Sequence, residues 1–180
     1  GRKDGGELVD MLQHREIDAA LVRLPIPGSG LTVQRITEHP VAAVLPTWHP
    51  LADRESLTLP DLHTEPVIGY PSNRGSGTMT LIHSAYLAHG FAPRIVQEAP
   101  DTHTIMLLTA VGTGIGYVPT SASHLKVPGI VLIPVLDMPP LPLALAWRED
   151  DDNPALATLT SLLDQVAVEA RRSTESHDLS

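Results

Sequence analysis

The sequence predicts an α/β protein, in which short apolar strands alternate with helices along the chain. Of its 180 residues, 42% are hydrophobic and 18% are charged, a balance typical of a folded chain rather than a disordered one. Seventeen prolines and thirteen glycines divide the chain into many short elements, which excludes a long coiled coil or helical bundle. Strands that alternate with helices favour layered α/β packing with mostly parallel strand pairing.

In the first half of the chain, apolar spacing and prolines define the elements. Leu8, Val9 and Leu12 have helical spacing and predict a helix over residues 7–16. The apolar run Ile17–Val22 predicts a buried strand, which ends at a loop rich in proline and glycine. Further strands are predicted at Leu31–Thr37, Val41–Leu45 and Pro66–Tyr70, with a short helix at Pro60–Leu62.

The rest of the chain contains three predicted helices and four predicted strands. Apolar residues recur at helical intervals between Thr78 and His89, and Gly90 is placed to end that helix. Asp101 or Thr102 can cap a helix that continues to Val111. Asn153 and Pro154 occupy the cap and first position of a long final helix. The predicted strands are Arg94–Gln97, Ile115–Val118, Ile130–Val135 and Leu143–Trp147.

Charge and composition narrow the classes of function. The chain has 12 basic and 21 acidic side chains, a formal net charge of −9 and only 3% aromatic residues. Nucleic acid binding by this segment is disfavoured, because phosphate contacts need clustered Lys and Arg and single strands need aromatic platforms. The lack of cysteine excludes disulfides and thiolate chemistry and fits a reducing compartment. The longest apolar runs, Val41–Pro46 and Ile130–Leu136, are too short to span a bilayer.

Several sequence patterns that form ligand, metal or catalytic sites in other proteins have a simpler structural explanation here. The glycine-rich segment Gly112–Gly116 follows a predicted helix and precedes a predicted strand, the reverse of a phosphate-binding loop. A helix end followed by close backbone packing explains these glycines better. The nine histidines lack metalloprotease spacing, and no metal site is expected. No nucleophile elbow is present, and the acidic run Glu149–Asp152 is most simply a solvated loop.

The polar loop Pro71–Gly77 is the strongest candidate binding feature that the residues themselves indicate. It follows a predicted strand, precedes a predicted helix, and offers hydroxyls, an amide, a cation and unhindered N–H groups at its glycines. Helix N-termini preceded by such loops bind carboxylates and other anions. An ordinary capping loop on the surface is the alternative interpretation.

Several segments, taken together and in this order, resemble the effector-binding domain of LysR-type transcriptional regulators. The resemblance covers most of the chain and includes a His-Pro-Leu motif and a Gly-x-Gly-Ile-Gly-x-Val-Pro motif. The segments are Leu12–Arg23, His39–Ala52, Leu57–Leu62, Glu65–Ile68, Gly90–Pro93, Gln97–Ala99, Leu107–Pro119 and Ala146–Arg148.

This resemblance implies a two-lobed α/β fold similar to type II periplasmic solute-binding proteins, with two crossing strands and an effector bound between the lobes. The crossings would lie near Ala52 and Met138, so that lobe one comprises residues 1–51 and 139–180 and lobe two residues 52–138. Such a domain ordinarily begins with a strand, a helix and a second strand ahead of the segment that opens this chain. We therefore expect lobe one to be incomplete and the N-terminal winged helix-turn-helix to be absent.

The resemblance also implies a site and partners. Ser72, Asn73 and nearby amides would hold a small anionic effector, an organic acid or an amino acid, and Arg74 would supply charge. Arg23 is equally well explained as a surface ion-pair partner. By family position, the effector-binding residues are Arg23, Ile26, Leu45, Pro46, Ser72, Asn73, Arg74, Glu98 and Ala99.

No catalytic residue, metal, cofactor or membrane contact is implied. The protein would be a cytoplasmic homodimer or homotetramer that contacts DNA only through the missing domain.

Two other classes of protein remain open. A periplasmic-type solute-binding protein for a small anionic metabolite shares the fold but is preceded by a secretion signal rather than a helix-turn-helix. An enzyme on the same scaffold needs an acid–base pair, which the sequence does not identify.

Overall fold

The structure, a computed structural model, describes residues 5–71 and 76–175, with side chains up to residue 165. A 3-10 helix spans Thr120–His124. The helices are α1 (Gly5–Gln13), α2 (Leu59–Leu62), α3 (Gly77–Ala88), α4 (Thr102–Ala110) and α5 (Pro154–Glu175). The strands are β1 (Ala19–Arg23), β2 (Leu31–His39), β3 (Val41–Pro46), β4 (Pro66–Gly69), β5 (Arg94–Glu98), β6 (Ile115–Pro119), β7 (Ile130–Pro134) and β8 (Leu141–Arg148).

The first lobe is built on a three-stranded sheet with the order β1-β8-β2. Helix α1 covers one face of this sheet, where Leu12 packs against the small residues Ala144 and Ala146. Helix α5 contacts β2 and places Leu156 in a buried position. In β1, buried residues alternate with more exposed ones as a result of this packing on one side, although four of its five residues are apolar.

The second lobe is built on a five-stranded sheet with the order β5-β4-β6-β3-β7. One face is covered by α2 and α3, and the other by α4 and the 3-10 helix. All six residues of the central strand β3 are buried. Burial on both faces explains why β3 is a continuous apolar run in the sequence rather than an alternating one.

The prediction of mostly parallel pairing was wrong. Strand β4 is parallel to β5 and β6, whereas β8 is antiparallel to β1 and β2, and β3 is antiparallel to β6 and β7. The path of the chain explains this. Strands β2 and β3 carry the chain into the second lobe and β7 and β8 carry it back, so the pairs β2–β8 and β3–β7 run in opposite directions.

Sheet membership changes at Pro40, between the end of β2 and the start of β3. It changes back within residues 135–140, between β7 and β8. The first of these positions differs from the predicted crossing near Ala52, since β3 pairs only with strands of the second lobe. The crossing near Ala52 was implied by the family resemblance, whereas long-range pairing decides which sheet a strand joins.

The glycine-rich segment after α4 has the structural role that its order suggested. Gly112 adopts a φ of +84° at the end of the helix, a conformation that glycine tolerates best. On Gly116, an ideal Cβ atom would lie 2.2 Å from Cγ2 of Ile105, so the absence of a side chain allows α4 to pack directly on β6.

In the part of the chain that the structure describes, no helix has both the length and the apolar character of a membrane span.

Candidate functional site

A cavity of about 370 Å³ lies between the two lobes, and we call it the cleft. Its first-lobe wall comes from α1, β1 and β8, and its second-lobe wall comes from the starts of α3, α4 and the 3-10 helix. The polar lining residues among those described are Arg23, Tyr70, Ser76, Thr78, Asp101, Thr102, Ser121 and His124. The apolar lining includes Leu8, Leu21, Val22, Pro71, Pro100, Pro119, Ala122, Leu125, Leu141 and Leu143.

The parallel strands of the second lobe explain why helix starts gather at this edge. Strands β4 and β6 run in the same direction, and each ends at the cleft, beside Tyr70 and Pro119 respectively. The carboxyl ends of parallel strands are where α/β folds present loops and helix N-termini to ligands. Backbone N–H groups at such N-termini favour electron-rich ligand atoms.

Helix α3 begins in close contact with the first lobe. Ser76 is its N-cap, and the hydroxyl of Ser76 accepts a hydrogen bond from the N–H of Met79 at 3.3 Å. The next residue, Gly77, packs against the end of β1, where an ideal Cβ atom would lie 2.3 Å from the carbonyl oxygen of Arg23. The lobes therefore meet backbone to backbone at one margin of the cleft.

Helix α4 begins with a carboxylate. Asp101 is its N-cap and accepts hydrogen bonds from the N–H of Thr104 at 2.8 Å and from the Thr104 hydroxyl at 3.1 Å. These bonds, above all the one from the backbone N–H, hold the pKa of Asp101 below its usual value. Asp101 therefore carries a negative charge in the cleft at neutral pH.

A tyrosine connects β4 to the start of α4. The Tyr70 hydroxyl lies 3.0 Å from the Thr102 hydroxyl and donates to the carbonyl oxygen of Tyr117 at 3.5 Å. Both Tyr70 and Thr102 are half-buried and line the cleft. They supply hydroxyl groups next to Asp101 that can bind a polar ligand.

Arg23 supplies positive charge on the wall opposite the helices. Its guanidinium donates to the carbonyl oxygen of Leu141 at 3.1 Å, which fixes the side chain against β8. The charge of Arg23 acts on His39, whose pKa is lowered by burial and, secondarily, by this neighbouring cation.

The structure separates the predicted site residues into three groups. Of those that it describes, Arg23 lines the cleft. Ile26 instead packs against the core of the first lobe, and Glu98 and Ala99 end the β5 region just before Pro100, which does line the cleft. The predicted residues Ser72, Asn73 and Arg74 lie outside the described residues.

Leu45 and Pro46 lie away from the cleft. Leu45 is fully buried in the core of the second lobe, and Pro46 pairs with Ile130. The strand end at the cleft is the opposite one, where Val41 pairs with the lining residue Pro119. The prediction assumed that the last residues of β3 face the cleft, but β3 is antiparallel to β6 and ends at the far edge.

Sequence reasoning missed the lining residues Tyr70, Thr78, Asp101 and Thr102. Asp101 was interpreted only as a helix cap, a role that it has. The signal available was a polar residue directly after a strand or directly at a predicted helix start, which occurs at each of these positions. Among the described residues, no group of three or more His, Asp or Glu side chains could hold a metal ion.

The sequence matches the family model described as the LysR substrate binding domain over residues 2–167. The HTH-type transcriptional regulator TtuA of Agrobacterium vitis is 35% identical over 169 residues, covering 87% of this chain and 54% of that protein. The HTH-type transcriptional regulator CatR of Pseudomonas putida is 32% identical over 160 residues, covering 88% of this chain and 55% of that protein. The chain thus spans about half the length of these relatives.

Solved structures share the fold at lower sequence identity. A variant of the BenM effector-binding domain has a TM-score of 0.83 at 22% identity, covering 93% of this chain and 79% of that one. The effector-binding domain of QuiR in complex with shikimate has a TM-score of 0.82 at 18% identity, with the same coverage of 93% and 79%. These similarities confirm the predicted two-lobed, periplasmic-binding-protein-like α/β fold. With the family match over most of its length, the chain belongs to the LysR substrate-binding domain family.

Proposed function

We propose that this chain is the ligand-sensing domain of a LysR-type transcriptional regulator and binds a small effector in the cleft. The observation that carries the proposal is that both lobes line one cavity of about 370 Å³. This volume lies within the range of about 300–1,000 Å³ that small-molecule sites occupy. A ligand held by both lobes stabilises the arrangement in which both walls can reach it.

The relatives support a regulator rather than a solute-binding protein. TtuA and CatR are named as HTH-type transcriptional regulators, and solved neighbours are described with benzoate or shikimate as the bound molecule. In the proposed mechanism, the effector shifts the population of lobe arrangements by its differential affinity for them. The shift then passes through contacts of a cytoplasmic homodimer or homotetramer to a DNA-binding domain outside this chain.

Within the cleft, Arg23 is the proposed anion-binding side chain of the first lobe. Ser72, Asn73 and Arg74 stay candidates in the second lobe, because the residues on either side of this segment, Pro71 and Ser76, line the cleft. Glu98 and Ala99 contribute to the binding site only by leading the chain to Pro100, which lines the cleft. The named relatives are transcriptional regulators rather than enzymes, which supports binding rather than catalysis.

A thermal-shift screen with a library of organic acids and amino acids tests the proposal. A ligand that binds only the folded state at about 100 times its Kd stabilises it by about 2.7 kcal/mol. The variant Ser121→Trp places a large side chain at an exposed rim position of the cleft. We expect it to abolish the shift produced by any hit.

The matched control is Ser123→Trp, which lies in the same 3-10 helix and is also exposed but does not line the cleft. It should leave the ligand-induced shift unchanged. A hit that stabilises both variants equally binds elsewhere and contradicts the proposed site. A library in which no compound stabilises the wild-type protein contradicts the proposed function.

A further inference from the structure

The two helix starts in the cleft differ in charge. Helix α3 is capped by the neutral hydroxyl of Ser76, whereas α4 is capped by the carboxylate of Asp101. A helix N-terminus ordinarily attracts an anion, because its partial positive charge and unpaired N–H groups face the ligand. At α4 this anion is supplied by the protein itself, as the carboxylate of Asp101. A carboxylate of a ligand is therefore disfavoured beside Asp101 and favoured at α3.

Asp101 retains capacity to bind a ligand while it caps α4. An ionised carboxylate has about four acceptor positions. The Thr104 N–H and hydroxyl and the N–H of His103 use three of them. Asp101 is half-buried and lines the cleft, so a hydrogen-bond donor on a ligand can reach the remaining position. A charged acceptor forms a stronger hydrogen bond than a neutral one.

The charged side chains of the described cleft wall are thus of opposite sign. Arg23 lies on the first lobe and Asp101 on the second, with the titratable His124 at the rim. The hydroxyls of Tyr70 and Thr102, which lie 3.0 Å apart, adjoin the Asp101 end. A ligand that matches this wall needs an acidic group at one end and a hydroxyl or ammonium group at the other.

We infer that Asp101 is a specificity determinant, which accepts a hydrogen bond from a hydroxyl or ammonium group of the effector. The cleft therefore selects hydroxy acids and amino acids over dicarboxylates of the same length. This inference rests on the proposed function, since it concerns the same cleft, but it makes a separate claim about which end groups are accepted.

Two end-group series test this inference by isothermal titration calorimetry. The shorter series is γ-aminobutyrate, γ-hydroxybutyrate, butyrate and succinate, and the longer one is δ-aminovalerate, δ-hydroxyvalerate, valerate and glutarate. In the series that fits the cleft, we expect the wild-type protein to bind the hydroxy or amino acid at least about tenfold more tightly than the dicarboxylate. The variant Asp101→Asn should reduce that ratio by about tenfold, chiefly because the dicarboxylate binds better.

Asparagine keeps the helix cap, since Asn and Asp are equally good N-cap residues, and thermal unfolding checks that the variant is folded. The control Asp152→Asn makes the same change in net charge at an exposed position outside the cleft. It should leave the ratio unchanged. An Asp101→Asn ratio equal to the wild-type ratio overturns the inference, as does tighter wild-type binding of the dicarboxylate.

The outcomes also separate this inference from the proposed function. If library hits bind and are blocked by Ser121→Trp while no member of either series binds, Asp101 does not select these end groups. The inference then fails and the proposed function stands. If no library compound and no series member binds, both fail. If the hydroxy or amino acid binds and Ser121→Trp blocks it, the proposed function is supported. The inference is supported as well only if the wild-type protein prefers that ligand to the dicarboxylate and Asp101→Asn reduces the preference.

Discussion

Gly77 at the start of α3 packs against the carbonyl oxygen of Arg23 at the end of β1, so that an ideal Cβ atom on Gly77 would lie 2.3 Å from that oxygen. A second backbone oxygen, that of Pro25, would lie at 2.5 Å. Backbone atoms cannot rotate away as a side chain does. The contact therefore fixes how closely the two lobes approach beside the cleft, and it requires glycine.

The variant Gly77→Ala tests this contact, because the change in stability has one sign if the added methyl group fits and the opposite sign if it overlaps with the first lobe. In an unobstructed helix, replacing Gly by Ala stabilises the fold by about 0.5–1 kcal/mol. Here the added methyl group overlaps with the backbone of the first lobe, and we expect a loss of about 1–3 kcal/mol. Urea unfolding measures this difference. Ser84→Ala, at an exposed position of the same helix, should change stability little. A Gly77→Ala variant as stable as the wild type shows that the lobes do not touch there.

Arg148 holds the first lobe together from a buried position. Its guanidinium donates to the carbonyl oxygens of Leu12 at 2.9 Å and Ile17 at 2.6 Å, and it forms ion pairs with Asp18 and Asp151. Arg148→Met leaves these acceptors and the nearly buried Asp151 carboxylate without the cation. We expect a loss of about 3–5 kcal/mol in the free energy of unfolding.

The control for Arg148 is Arg15, whose ion pair with Asp150 at 2.7 Å is largely exposed on both sides. Arg15→Met should cost at most about 1 kcal/mol. Arg148→Lys keeps the charge but lacks the forked donor geometry of Arg, and its stability should lie between those of the wild type and Arg148→Met. Equal stabilities of the Arg148→Met and Arg15→Met proteins would show that the buried network does not stabilise the lobe.

Two tyrosines form a buried pair in the core of the second lobe. The hydroxyls of Tyr86 and Tyr117 lie 2.6 Å apart, and both side chains are almost completely buried. Replacing either by Phe leaves one buried hydroxyl unpaired, at a cost of about 1–3 kcal/mol. Replacing both removes the pair together, so we expect the double variant to lose less than the sum of the single losses. Additive losses in a urea-unfolding cycle would contradict this coupling.

The same pair predicts a dependence on alkaline pH. Burial raises the pKa of both hydroxyls above the usual value of about 10. The folded state then keeps protons that the unfolded state loses, so the free energy of unfolding falls as pH rises above about 10. The fall should be steeper for the wild type than for the protein with both tyrosines replaced by Phe. Parallel pH profiles would show that the pair is not protected from titration.

Asp101 predicts a dependence on acidic pH, in which the free energy of unfolding falls as the pH is lowered. Its pKa is lowered in the folded state, mainly by the hydrogen bond from the Thr104 N–H, so the cap stabilises the protein at neutral pH. That contribution is lost as pH falls through the folded-state pKa. Asp101→Ala should cost about 1 kcal/mol near pH 7 and progressively less below about pH 4. A difference from the wild type that does not change with pH would contradict an ionised cap.

Local sequence patterns were sufficient to predict most elements and the capping role of Asp101. The strand at Val41–Pro46 could be recognised because its continuous apolar run is typical of burial on both faces. The sheet that it joins could not be recognised, because its partners, β6 and β7, lie far along the chain. Pairing over such distances leaves no local pattern.

The lining of the cleft was predicted only in part for the same reason. Arg23 was expected beside the cleft, and the strand that carries it does end there. Leu45 was misplaced because the direction of β3 relative to β6 was unknown, and an antiparallel strand ends at the opposite edge. Tyr70 and Asp101 are far apart in sequence, and only the parallel pairing in the second lobe brings the regions that follow β4 and β5 to one edge.

A crystal structure of the chain with a hit from the ligand screen shows directly where the ligand binds. We predict a ligand between the lobes, in contact with the first-lobe wall at Arg23 and with the second-lobe wall at the starts of α3 and α4. A ligand bound outside the cleft, or one that contacts a single lobe, would contradict it.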